Sequence, residues 1–175
     1  HTVMALLMTA APIAMHHAEH HFGQTAFVIQ WHSLGMFAPG FITGALIRRW
    51  GEAKIIFAGF ALQIICIPIA LSGDAVFEFW LSMLLLGVGW NFAFTAGTSL
   101  LGDAHTPGER AKAQGASNFI VYAFVALGSL SSGALIHFLG WKWVNLGALP
   151  ILLIAVVVMA LLGKRSVSCV AKTGN

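Results

Sequence analysis

The sequence has few charged residues. Only 9% of its 175 residues are charged, whereas 58% are hydrophobic and the mean hydropathy is +0.85. A soluble domain contains about 25% charged residues, so this composition excludes an ordinary soluble globular protein and indicates a membrane domain. The net charge of +3 does not point to nucleic-acid binding, because the basic residues follow a membrane topology instead.

Cysteine is also scarce. Cys66 and Cys169 are too few and too far apart to form a disulfide framework. Cys66 lies in an apolar run, where a buried small hydrophobic residue is expected.

Long apolar runs dominate the chain. A helix that crosses a bilayer needs about 20 mostly apolar residues, and six segments meet or nearly meet this length. We predict an all-α membrane protein with six transmembrane helices at about 2–18, 24–47, 54–72, 75–100, 113–137 and 141–163, followed by a polar tail at 164–175.

The basic residues predict the orientation of these helices. The first and third connections contain no Lys or Arg, and Lys142 is the exception on that side. All other basic residues lie in alternate connections or in the tail: Arg48, Arg49, Lys54, Arg110, Lys112, Lys164, Arg165 and Lys172. Because cytoplasmic loops are enriched in Lys and Arg, we expect both termini to lie in the cytoplasm.

Two similar segments suggest an internal repeat. "GALIRRWG" at 44–51 closes the second predicted helix, and "GALIHFLG" at 133–140 closes the fifth. Each falls at the same place in a unit of three helices, and an odd number of helices makes the second unit inverted. With "GERAKAQG" before the fifth helix, this arrangement resembles one half of a major facilitator transporter. Since the chain begins abruptly and ends in a polar tail, the resemblance implies a C-terminal half whose partner is a preceding six-helix half.

Methionine and histidine are concentrated near the start of the chain. Met4 and Met8 lie one turn apart on the first predicted helix, and His32 and Met36 lie one turn apart on the second. If the two helices form an antiparallel hairpin, both pairs reach a similar depth near the middle of the bilayer. Thioether and imidazole groups suit copper, and thioethers select Cu(I). The alternative is that the methionines fill gaps in the helix packing.

The motifs "MALLM" and "HSLGM" resemble the M-x-x-x-M and H-x-x-x-M motifs of CcoA-type copper importers. This resemblance implies a non-enzymatic importer of the bacterial inner membrane that supplies copper for assembly of cbb3-type cytochrome oxidase, with Cu(I) as substrate and no resident cofactor. Related members that carry riboflavin are expected to lack the motifs. The main alternative is a major facilitator carrier of a small organic solute such as riboflavin, and a membrane copper sensor or assembly factor is a third possibility.

Other polar residues are weaker candidates. "MHHAEHH" supplies a possible capture site at the periplasmic mouth, formed by Met15, His16, His17, His20 and His21, provided that the helix continues through them. The alternative is a solvated polar cap. Possible cavity-lining residues are Gln30, Asn91, Asn118 and Tyr122, although hydrogen bonds between helices would also explain them.

The topology can be tested with reporters. A reporter fused after Asn175 should report a cytoplasmic location, and a label within residues 16–24 should be accessible from the periplasm, because Lys and Arg avoid that side. Fusions that report a periplasmic C-terminus would contradict the inverted repeat.

Overall fold

The computed structural model describes residues 1–103 and 106–173, and every regular element in these ranges is a helix. Side chains are described as far as Leu161, apart from those at 103 and 107. In chain order the helices are α1 (Thr2–His17), α2 (Phe22–Phe37), α3 (Gly40–Trp50), α4 (Glu52–Ser72), α5 (Val76–Asp103) and α6 (Pro107–Thr173).

A proline divides the segment that we predict as one helix at 24–47. Pro39 has no N–H to donate, and its ring crowds the carbonyl group four residues earlier. As a result α2 ends at Phe37 and α3 begins at Gly40. Pro39 keeps helical dihedral angles, with φ −62° and ψ −21°, and the N–H of Ile42 donates to its carbonyl oxygen at 2.9 Å. The chain therefore continues past the break, where Pro39 supplies no N–H to the helical ladder.

Two helices that we predict as separate are continuous in the structure, with Gly140 between them. The predicted segments 113–137 and 141–163 both lie in α6, which departs from helical geometry at Gly140, with φ 77° and ψ 170°. Glycine adopts this conformation readily because it has no Cβ atom. The helical backbone continues to Thr173, so most of the predicted tail at 164–175 lies on α6, and residues 174 and 175 lie outside the described residues.

Three of the described helical segments are long and apolar enough to cross a membrane: Glu52–Ser72, Val76–Gly102 and Gly108–Leu161. The apolar helix Thr2–His17 is shorter. The third segment has 54 residues, and a straight helix of that length would measure about 80 Å. The hydrocarbon core is only about 30 Å thick, so this segment must bend at Gly140 if all of it stays in the bilayer. The layout of six spans as two inverted repeats stays a prediction.

The core lies around α1, which is buried on most of its surface. Leu7, Ala10, Ala11 and Met15 are almost completely buried, as expected for a helix that is apolar all round. α1 packs mainly against α6, whereas α2 and α4 pack mainly against α5. The contacts of α1 with α6 and of α2 with α5 therefore join helices that are distant in sequence, whereas α4 and α5 are consecutive.

Pairs of glycines allow α5 to approach both of its neighbours closely. A Cβ atom added to Gly87 would lie 2.5 Å from the carbonyl oxygen of His32 on α2, and one added to Gly35 would lie 2.9 Å from that of Leu84 on α5. On the other side of α5, a Cβ atom at Gly89 would lie 2.7 Å from the carbonyl oxygen of Gly59 on α4. Small residues at such crossings let membrane helices pack backbone against backbone.

This close packing predicts that a methyl group added at Gly87 lowers the stability of the protein substantially. Gly87→Ala should lower the free energy of unfolding by about 1–3 kcal/mol, because the added Cβ atom meets rigid backbone atoms and the helices must move apart. The matched control is Gly147→Ala in α6, where a Cβ atom would have no neighbour within 4 Å, and where the higher helix propensity of alanine should be neutral or stabilise by up to about 1 kcal/mol. Thermal unfolding of the purified complete protein in detergent would measure both. Equal losses in the two variants would contradict a close crossing at Gly87.

Candidate functional site

A cavity of about 430 Å³ lies between the start of α1, the middle of α4, the second half of α5 and both segments of α6. Its wall is mostly apolar, with side chains such as Val3, Phe60, Val121 and Leu152. A smaller set of polar side chains also faces the cavity: Gln63, Thr98, Gln114, Ser117 and Asn118. An apolar cavity with a few polar groups is the usual form of a small-molecule site.

One wall of the cavity is aromatic. Trp90 and Phe94 lie one turn apart on α5, and their rings stack with centroids 4.9 Å apart and an angle of 14° between the planes. The ring of His1 stands edge-on to both, and the indole Nε1–H of Trp90 donates to Nδ1 of His1 at 2.8 Å. The hydrogen bond and the stacking hold these rings in place as one aromatic wall of the cavity.

The polar groups of the cavity differ in how they are bonded. The side chain of Gln114 donates to the carbonyl oxygen of Thr98 at 3.2 Å. Gln63 is only 5% exposed, and within the described part of the chain its amide has no hydrogen-bond partner. Asn118 lies on the more exposed α6 wall. Gln63 is therefore the deeply buried polar group that is free to bind a ligand.

The predicted copper ligands on α2 lie outside this cavity. His32 is fully buried against α5, and its Nδ1–H donates to the carbonyl oxygen of Met83 at 2.7 Å. In a neutral ring this leaves Nε2 as an acceptor, and Nε2 is buried without a hydrogen-bond partner among the described residues. Met36 is also buried, one turn further along the same helix. These two residues form a candidate soft-ligand pair within the interface of α2 and α5.

The predicted ligands on α1 occupy a different environment. Met4 is buried, and Met8 is partly buried and packs against the apolar core. A shared site with His32 and Met36 depends on direct packing of α1 on α2. The contact between these helices is sparse, because α1 lies mainly against α6 and α2 mainly against α5. The interface needed for a four-residue site is therefore not the main packing surface of either helix.

The histidine-rich mouth does not form the predicted helical pairs. α1 ends at His17, and Glu19 has a φ of 60°, so His20 and His21 do not continue the face of His16 and His17. Nε2 of His20 instead forms a 2.6 Å hydrogen bond with the carbonyl oxygen of Asp74. His21 caps the start of α2 together with Gln24. Among the described residues, no three His, Cys, Asp or Glu side chains come together as metal ligands.

The remaining candidate residues lie in the core, at the cavity, on the surface or between helices. Met15 is fully buried in the apolar core and does not face the mouth. Of the four expected cavity residues, Asn118 lines the cavity, whereas Gln30 and Tyr122 lie on exposed surfaces. Asn91 is buried and forms hydrogen bonds to neighbouring helices, which is the alternative role that the sequence offered for it. The sequence interpretation missed Trp90 and Phe94, although their four-residue spacing beside Asn91 places them on one helix face.

An all-helical chain with bilayer-length apolar helices around a small-molecule cavity has the architecture of a helical membrane transporter. Residues 1–172 match the family model of the Major Facilitator Superfamily, and the chain belongs to this family. It therefore belongs to a family of membrane carriers and not of enzymes.

Three relatives support this assignment. The riboflavin transporter RfnT of Brucella anthropi is 45% identical over 161 residues, which are 92% of this chain and 40% of the relative. Two Bacillus subtilis proteins, the uncharacterized MFS-type transporters YdeG and YddS, are 34% and 31% identical over 89% of this chain and 37% of each relative. The chain thus spans about two-fifths of the length of the curated relatives it matches.

The position of Asn91 generates a prediction about the break at Pro39. Its Nδ2–H donates to the carbonyl oxygen of Met36 at 2.7 Å, before the break, and its Oδ1 accepts from the hydroxyl group of Thr43 at 2.7 Å, after it. Asn91→Leu should lower the free energy of unfolding by about 1–3 kcal/mol, because it leaves the buried Met36 carbonyl group without a partner.

Asn118→Leu provides the control for this change. Asn118 is exposed, so its replacement should change stability by no more than about 0.5 kcal/mol. Thermal unfolding should be measured on both variants, and solute uptake on Asn91→Leu. An Asn91→Leu protein with unchanged stability but lost uptake would place Asn91 in the substrate path and contradict the structural role.

Proposed function

We propose that the chain forms part of a carrier for a flat organic solute, with riboflavin as the first candidate. The observation that carries this proposal is the cavity bounded by the stacked rings of Trp90 and Phe94. Its volume of about 430 Å³ falls in the range of roughly 300–1,000 Å³ found for small-molecule sites. A metal ion needs a few converging ligand atoms and no such volume.

The chemistry of the wall also supports an organic solute. Aromatic side chains bind flat ring systems by stacking, and the interaction has a preferred geometry that gives selectivity. The rings of Trp90 and Phe94 supply such a surface, and buried Gln63 supplies hydrogen bonding beside it. The 45% identity to a relative named as a riboflavin transporter favours the same class of solute.

The transporting unit that we propose is larger than this chain. It comprises the six predicted spans as two inverted repeats, together with a second six-helix half, in a bacterial inner membrane with the C-terminus in the cytoplasm. Several large apolar side chains are strongly exposed, including Phe22, Phe41 and Leu130. Apolar surface of this kind fits contact with lipid or with a second half. Transport would proceed by alternating access between the two halves.

Copper import for assembly of cbb3-type oxidase is the second candidate, and one observation favours it. The Nδ1–H of His32 bonds to a backbone carbonyl group and leaves Nε2 buried without a partner. Metal-binding histidines commonly donate the other ring N–H to a carbonyl group or carboxylate in this way. The thioether of Met36, and those of Met4 and Met8 if α1 moves towards α2, would complete a Cu(I) site.

Uptake of both substrates by the same cells distinguishes the candidates, because the two sites share no residue. Radiolabelled riboflavin and copper should be supplied to cells that make the complete protein, its Phe94→Ala variant or a Met8→Leu, Met36→Leu double variant. We expect riboflavin uptake, reduced about tenfold or more by loss of the aromatic surface in Phe94→Ala. The double variant nearly conserves side-chain volume and should take up riboflavin normally.

The opposite pattern would replace the proposal. Copper uptake that is lost in the double variant, with no riboflavin uptake by any of the three proteins, would establish the copper importer. Protein levels in the membrane should be compared by immunoblot in each case, so that a loss of uptake is not a loss of protein.

A further inference from the structure

Gln63 is only 5% exposed and lines the cavity, and no hydrogen bond among the described residues involves its side chain. Asn91, by contrast, bonds to Thr43 and to the backbone of Met36. Gln63 therefore has both a donor and an acceptor available for a bound molecule.

The surroundings of Gln63 hold it at a defined position. It lies on α4 opposite Gly89, and a Cβ atom at Gly89 would come within 2.9 Å of its Cγ atom. The missing side chain at Gly89 makes the room in which the stem of Gln63 lies. Trp90 follows Gly89 directly on α5 and lines the same cavity, so the amide and the aromatic wall are positioned by one short stretch of helix.

A primary amide presents a carbonyl oxygen and an N–H side by side. Its natural complement is a group in which an N–H stands next to a carbonyl oxygen, as in the imide or lactam edge of a heterocycle. Paired in this way, each side makes two parallel hydrogen bonds. A plain hydrocarbon ring would leave the Gln63 amide unpaired, which a buried site disfavours.

We propose that Gln63 is a specificity-determining residue that binds the imide or lactam edge of a planar heterocycle whose ring stacks against Trp90 and Phe94. This inference rests on the proposed function and narrows its substrate class. Riboflavin belongs to the class, because its ring carries an N–H between two carbonyl groups. The prediction is that the carrier recognises that edge and rejects a compound in which the N–H is blocked.

The test compares riboflavin with its N3-methyl derivative, which differs in this N–H alone. Binding of each to the complete purified protein is measured by quenching of flavin fluorescence. The wild type should bind riboflavin about tenfold or more tightly than the methyl derivative, because a site built to hydrogen-bond a group rejects an analogue that lacks it. In Gln63→Leu the two affinities should become nearly equal, through weaker binding of riboflavin.

Gln30→Leu is the matched control, because Gln30 is exposed on α2 and lies outside the cavity. It should retain the wild-type ratio of affinities. If Gln63→Leu does not accumulate in the membrane, Gln63→Met serves the same purpose with an unbranched side chain of similar length.

Three outcomes separate the inference from the proposed function. A ratio of affinities that is unchanged in the Gln63 variant, or equal affinities in the wild type, would overturn the role of Gln63 and leave a flavin carrier standing. Absence of binding of either flavin by the wild type would overturn both. Loss of the preference in the Gln63 variant, with the preference kept in Gln30→Leu, would establish the inference.

Discussion

The close approach of α5 to its two neighbours is the constraint on which the rest of the structure depends. Gly87 lets α5 meet the backbone of α2 at His32, and Gly89 lets it meet the backbone of α4 at Gly59. In a bilayer the lipid chains are as apolar as the side chains, so helix association depends on close van der Waals packing and on hydrogen bonds between helices. Gly87 and Gly89 are two residues apart, so they lie on nearly opposite sides of α5. α5 is thereby fixed between α2 and α4.

That constraint positions both candidate sites. The residues that follow the glycines are Trp90 and Asn91, and Phe94 comes one turn after Trp90. Trp90 and Phe94 face the cavity, whereas Asn91 bonds to the opposite neighbour at the break between α2 and α3. The eight residues from Gly87 to Phe94 therefore contain the two glycines of the helix crossings, the aromatic wall of the cavity and Asn91. We call the two hydrogen bonds of Asn91 across the α2–α3 break the Asn91 tether.

The sequence predicted the all-helical membrane class, because the hydrocarbon core demands long apolar helices and these are visible as composition. The transporter family was predicted from a resemblance carried by the segments at 44–51 and 133–140, and the family model confirms it. It could not predict which helices touch. An apolar helix such as α1 has no polar face to give its orientation, so a hairpin of α1 on α2 was a reasonable expectation, and the packing of α1 against α6 was not visible. For the same reason Gln30 was expected to line the cavity, although it lies on an exposed surface and Gln63 lines the cavity instead. Pro39 was a readable signal of the α2–α3 break, but it was outweighed by the apolar run on either side of it.

The two candidate functions differ in whether α5 must move away from α2. The cavity already exists in this arrangement, and a flat solute could enter it while the glycine crossings stay intact. His32 is enclosed at the crossing itself, where its carbonyl oxygen lies against Gly87 and its ring bonds to Met83. An ion could reach Nε2 only if α2 and α5 separate there, and such a movement would pull on the Asn91 tether one turn further along. Copper binding would thus disturb the close helix crossing at Gly87, whereas binding of an organic solute would leave that crossing in place. This difference in packing cost, together with the free amide of Gln63, is the physical reason to prefer the organic solute.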